Sequence, residues 1–164
     1  QVSDALVAGA IDATAWVAPW NDEAMKFYAA AKYYYYPGMH EPASQLAVGF
    51  NASFWSSLSE SDKALVGAVA QAENGNVMAE YNAKNGAALE RLQTEQGVEV
   101  REFNEDVYEA FGRGAAEVFA EVVEHSAMAR RIHESMLNAR KIVGDYVQLN
   151  DVEYINKRNA VLEG

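Results

Sequence analysis

Two short turns hold the residue types that could bind a small molecule. Trp16 and Trp20 flank Pro19 in the segment WVAPWND. Tyr36, Met39, His40 and Glu41 flank Pro37-Gly38 in YYYYPGMHEP. Aromatic rings wall a pocket and a few placed polar groups orient what enters it, the usual make-up of a small-molecule site. Glu41 could give a carboxylate oxygen to a hard cation, although such an ion takes several oxygen ligands. His40 and Glu41 could act as acid and base. Neighbours on an extended chain point to opposite faces, however, so the two rarely serve one centre. The competing reading is structural. Trp and Tyr then cover a sheet edge or a domain interface, and Glu41 is a solvated loop carboxylate.

The rest of the chain offers little chemistry. It has no Cys, which removes thiol nucleophiles, disulfides and Cys-based metal sites together. His133 follows Arg130 and Arg131 and precedes Glu134, the pattern of a charged helix face. His125 lies near a helix end, where the dipole favours a cation. Gly112-Arg113-Gly114 falls inside a helical stripe and is not a phosphate loop, and no G-x-S-x-G elbow is present. Asn51-Ala52-Ser53 matches a glycosylation triplet, a signal too short to use. With 24 acidic and 13 basic side chains the formal charge is −11, which excludes nucleic acid held by a general field.

Elements must position the two turns. The spacing predicts an opening helical piece around Leu6 and Val7, stopped by Gly9. Residues 11–17 (IDATAWV) read as a buried strand. Asn21 or Asp22 could cap a helix running to about Ala31. Tyr33 to Tyr36 form a second strand, because consecutive aromatics suit a pleated surface. Residues 45–50 (QLAVGF) form a third. Ser59-Glu60-Ser61-Asp62 has the form of a capping box. A stripe of Val66, Ala70, Val77, Tyr81, Ala88 and Leu92 then predicts about thirty residues of helix, which Gly67, Gly75 and Gly86 could kink. Val98 to Phe103 alternate as a further strand after a turn at Gly97. Asn104 and Ser126 could cap two more helices. Their stripes are Val107, Phe111, Val118, Phe119, Val122 and Met128, Ile132, Met136, Ile142. The tail from Asp145 to Leu162 has sparse apolar positions, and such a helix needs something to pack on. The whole reads as an α/β chain with few strands and long helices dominating its second half. Its three parts are a strand-rich segment (1–52), a helix-rich lobe (53–144) and a helical tail (145–164).

The words themselves resemble a known family. GAIDATAWVAPWND, KYYYYPGMHEP and VGFNASFWSSLSESDKALV are similar to segments of the DctP-type solute-binding proteins of TRAP transporters, the tripartite ATP-independent periplasmic transporters. The likeness is to the branch that takes 2-oxoacids, lactate and similar small carboxylates, and it extends to about Val152. It implies a protein of roughly twice this length, with two α/β lobes closing on a carboxylate. This chain then corresponds to the C-terminal half. Gln1 in place of an initiator Met agrees with that expectation. The family's ligand-pairing Arg is expected upstream.

The resemblance also implies roles, position by position. The Glu and Trp of an EW pair and the Glu of an HEP segment belong to the cation and ligand site in the metal-assisted branch. Trp16 and Glu41 match, so these two are the candidate ligands of a bridging sodium or calcium ion. Ala15 stands where that branch has its first Glu, which removes one carboxylate. Met39 stands where Trp is common. Asn21, Tyr36, Met39 and His40 are the remaining pocket neighbours. The implied protein is periplasmic, hands its solute to a TRAP membrane permease, and forms a homodimer through the C-terminal helix or an exposed lobe surface. The alternatives are a helical oligomerisation module with no small ligand, and an acid–base enzyme using His40 and Glu41.

Overall fold

The computed structural model describes residues 2–38, 43–44 and 46–162. The chain is mostly helical, with two parallel strands. It divides into two compact units, residues 1–104 and 105–164.

The first unit is built on one long helix. Helix α1 (Val2–Val7) precedes it and buries Leu6. Helix α2 spans Pro19–Ala24, strand β1 Tyr33–Tyr36, helix α3 Ala52–Ser57, helix α4 Glu60–Thr94 and strand β2 Glu99–Glu102. Ser59 starts α4 as the capping box predicts: its hydroxyl oxygen accepts from the Asp62 amide at 3.1 Å and its own proton goes to the Asp62 carboxylate at 2.7 Å. The helix runs through Gly67, Gly75 and Gly86 without a break, for 35 residues. Only the C-terminal part of its stripe is covered. Ala88 and Leu92 are buried, whereas Ala70 and Val77 are exposed. Gly97, at φ +67°, turns the chain after α4 in a conformation that Gly adopts most readily. Val98 is buried behind it and β2 follows.

Strand β1 pairs in parallel with β2, in the register Tyr33↔Glu99 through Tyr36↔Glu102. The Glu99 amide donates to the Lys32 carbonyl and the Phe103 amide to the Tyr36 carbonyl, both at 2.9 Å, which closes the ladder at each end. One face carries Tyr33 and Tyr35. There the Arg101 guanidinium lies 3.8 Å from the Tyr33 ring centroid, and Tyr35 stacks on Phe103 at 4.9 Å.

Several expected elements are absent. Residues 11–17 and 46–50 are exposed and irregular rather than strands. A strand persists only where a neighbour takes its backbone hydrogen bonds, and among the described residues nothing pairs with either segment. Gln45 lies outside the described residues. The helix expected to reach Ala31 stops at Ala24 because Lys26 enters the left-handed region at φ +57°. A 3-10 turn at Phe27–Ala29 follows, and Phe27 is buried. Neither Asn21 nor Asp22 caps α2. Pro19 opens it, since its missing N–H would have no partner there anyway. Asn51, weighed as part of a glycosylation triplet, instead caps α3 through bonds from the Ser53 and Phe54 amides.

The second unit is a helical pair with an extension. Helix α5 spans Glu105–His125 and α6 spans Ala127–Val147. Ser126 caps α6 as expected, accepting from the Ala129 amide at 3.0 Å. The chain folds back there, so Phe119 and His133 meet with ring centroids 5.2 Å apart. Helix α6 passes into a π turn at Gln148–Val152 and then helix α7 (Glu153–Leu162). No residue of these helices is buried. Phe111, Val118, Met128 and Ile132, expected as core stripes, are exposed, because the two helices cover only part of each other.

Candidate ligand-binding site

Contacts that start in α2 tie it to α4 and to β1. Trp20 is the anchor on α4. Its ring meets Tyr81 edge-on at 5.3 Å, the Lys84 ammonium sits 4.1 Å from its centroid, and its backbone N–H donates to Asn85 Oδ1 at 3.2 Å. About two turns of α4 further on, Arg91 grips Glu23 with two bonds, Nε to Oε1 at 2.8 Å and Nη2 to Oε2 at 2.6 Å. This fork pairing holds the Glu23 carboxyl below its ordinary range and raises the Arg91 guanidinium.

Between these anchors lies Asp22, only 7% exposed. The Tyr34 hydroxyl donates to its Oδ2 at 2.5 Å. Burial pushes the Asp22 carboxyl up. The Tyr34 hydroxyl and the backbone at Val17 and Ala18 act the other way, favouring the ionised form. The Tyr34 hydroxyl is pushed up too, first by burial and then by its bond to Asp22, so it keeps its proton and remains a donor. Oδ1 of Asp22 and Oδ1 of Asn21 are buried with no hydrogen-bond partner.

Of the predicted site residues, Trp16, Asn21 and Tyr36 are described. Trp16 is 46% exposed and rests edge-on against buried Phe27, with centroids 5.8 Å apart and planes at 72°. Asn21 lies in the first half of α2 and is partly buried. Tyr36 ends β1, exposed on the same strand face as Tyr34, and precedes a cis bond to Pro37. Among the described residues, no hydrogen bond or ring contact joins Trp16, Asn21 and Tyr36 to one another. Met39, His40 and Glu41 lie outside the described residues. Sequence reasoning missed Asp22 and Tyr34 as partners. Strand alternation could have placed Tyr34 and Tyr36 on one face, but nothing local says that Asp22 meets Tyr34.

Among the described residues the side chains at the expected cation positions offer no oxygen. Ala15 carries no oxygen donor in its side chain, and the Trp16 indole offers only an N–H. Among the described residues no three His, Asp or Glu side chains gather as a cage. The open groove of about 750 Å³ between α5 and α6, lined by Gly112, Ala115, Ala116, Phe119, His133 and Arg140 among others, includes none of the aromatic-turn residues.

A family model described as bacterial extracellular solute-binding protein, family 7 (DctP), matches residues 1–126. The chain belongs to that family. A DctP-family chain is a solute-binding protein and not an enzyme, and the acid–base reading of His40 and Glu41 gives way to that. Its place is extracytoplasmic, as the resemblance implied. Among relatives, a monocarboxylate 2-oxoacid-binding periplasmic protein of Nostoc sp. is 30% identical over 152 residues, which are 93% of this chain and 42% of the relative. A TRAP periplasmic solute-binding protein from Pseudoalteromonas atlantica, solved with sodium and pyruvate, superposes with a TM-score of 0.88 at 27% identity. The match covers 94% of this chain and 47% of that one. A second, from Colwellia psychrerythraea with calcium and pyruvate, gives 0.89 at 26% identity over 95% of this chain and 48% of that one. The chain thus spans less than half the length of each relative.

Proposed function

We propose that the full-length protein captures a small monocarboxylate of the 2-oxoacid type and hands it to a TRAP membrane permease, and that this chain supplies one wall of the cleft. The observation that carries the reading is the end of β1. Tyr36 and Pro37 stand at the carboxyl end of a strand paired in parallel, the position where open α/β sheets take ligands. The pyruvate held by two solved relatives gives the chemical class. In this reading Trp16 walls the ligand, Glu41 orients it or holds a bridging sodium or calcium ion, and Asn21, Tyr36, Met39 and His40 surround it. Since Ala15 supplies no carboxylate, the ion depends on Glu41 and on groups outside this chain. Calorimetric titration of the full-length protein with 2-oxoacids and dicarboxylates tests the proposal. Heat with pyruvate, and its loss in Trp16→Ala, is expected. Silence with every small carboxylate overturns it.

A second reading, self-association through the C-terminal helices, has an observation of its own. Tyr146, Leu149, Tyr154, Val161 and Leu162 are all exposed along α6, the π turn and α7. A helix extension with these exposed apolar side chains gains by burying them on a second copy. Sedimentation of the full-length protein before and after removal of 148–162 checks it. A mass that does not change counts against it.

A further inference from the structure

We propose that the Tyr34–Asp22 hydrogen bond is the positioning link of the ligand site, fixing the Trp16–Trp20 turn against the carboxyl end of β1. This rests on the reading above that the two aromatic turns line one cleft. The argument is one of connectivity. Helix α2 is tied to α4 by Trp20 and by the Glu23–Arg91 fork, but those bonds do not reach the strand. Among the described residues the Tyr34 hydroxyl makes the one hydrogen bond between α2 and β1. Tyr34 stands two residues before the strand end and shares the face of Tyr36. Asp22 stands three residues after Pro19, in the helix that the Trp16 turn leads into. The bond is short and shielded, with Asp22 nine-tenths buried, so water does not compete for it. Losing it leaves a buried acceptor unpaired and lets the two turns move independently. Neither residue touches the ligand in this account, and each acts through the turn it holds.

The test uses the full-length protein, pyruvate as the probe, and a temperature at which circular dichroism shows every variant folded. Tyr34→Phe and Asp22→Ala should each weaken pyruvate binding about tenfold, the loss of one buried hydrogen bond. Asp22→Asn keeps an acceptor for the hydroxyl and should stay within about threefold of the parent. Glu23→Gln weakens one of the two ties between α2 and α4 and leaves the bond to β1 intact. It should lower the melting temperature while pyruvate affinity stays within about twofold, since it removes an exposed-side bond away from the strand. Affinity unchanged in Tyr34→Phe, or weakened equally by Glu23→Gln, overturns the proposal. If the parent binds no small carboxylate, the functional reading fails by itself. The link is then decided by the fluorine NMR signal of 5-fluorotryptophan at Trp16. A signal moved by Tyr34→Phe and not by Glu23→Gln supports it, and a signal moved by neither overturns it.

Discussion

The corner where α2 meets α4 and the α5–α6 pair begin from similar sequence and end differently. Both carry apolar residues at helical spacing. The stripe on α5 and α6 is the cleaner of the two in sequence, with Phe111, Val118, Phe119 and Val122 on one helix and Met128, Ile132 and Met136 on the next. Yet the corner is where burial occurs: Leu92 is 2% exposed and Ala88 is fully covered, whereas Phe119 in the helical pair remains 43% exposed. Amphipathicity states which face wants cover. It does not supply the cover. In the corner, α2 packs on α4 and the chain after Gly97 returns to it, with the Val98 amide bonded to the Leu92 carbonyl, whereas two helices side by side offer each other only one line of contact.

The largest test of this difference is core truncation in the full-length protein, read by urea unfolding. Leu92→Ala should cost about 2–5 kcal/mol, the loss for a buried Leu. Phe119→Ala should cost about 1 kcal/mol, because only part of the ring leaves water on folding. Equal losses would break the comparison. Hydrogen exchange sharpens it on a scale of about tenfold or more, with amides of α5 and α6 opening faster than those of α4 near Leu92. Protection that is uniform along the chain would show that the two units open together.

Capping offers the opposite check. Ser59 and Ser126 make the same local bond at the starts of α4 and α6. Replacing either with Ala should cost about 1 kcal/mol. The two losses should match, since a cap depends on its own turn and not on burial. The smallest effect is a pH slope inside the corner. The Glu23 carboxyl is lowered, so its contribution is present above the ordinary carboxylate range and fades as pH falls through its depressed value. The Asp22 carboxyl is raised, so its contribution is greatest below the ordinary value near 3.8 and declines as pH rises through the raised one. Relative to the parent, Glu23→Gln should therefore lose ground from acid to neutral pH, and Asp22→Asn should gain it. Melting curves at several pH values read both slopes. Slopes of the same sign would mean the two carboxyls have been assigned the wrong environments.

Much of the local structure was legible because its causes are local. A hydroxyl three residues before an amide makes a cap, so Ser59 and Ser126 stand where they were expected. Four aromatic residues before Pro-Gly made a strand, and an alternating run after Gly97 made its partner. The segments 11–17 and 46–50 went wrong for the converse reason. Their apolar residues suit a strand, but a strand also needs a neighbour, and no pattern within five to seven residues reports whether one arrives. The family words located Trp16 and the YYYYPG turn. They could not say that Lys26 would end α2 early and drop Phe27 beneath Trp16.

By itself, then, the sequence determined where α4 and α6 start, which strand leads into the Pro37-Gly38 turn, the absence of thiol chemistry and the family to which the chain belongs. Each of these is written in adjacent residues or in spacing along one element. Only the tertiary structure decided that Asp22 would be buried under Tyr34, that Glu23 would be gripped by Arg91, and that the α5–α6 stripe would stay open. Those outcomes join residues 12 and 68 positions apart, or depend on what else comes near. Burial and pairing at such distances follow from the sum of all contacts that the folded chain can make, which no single segment encodes.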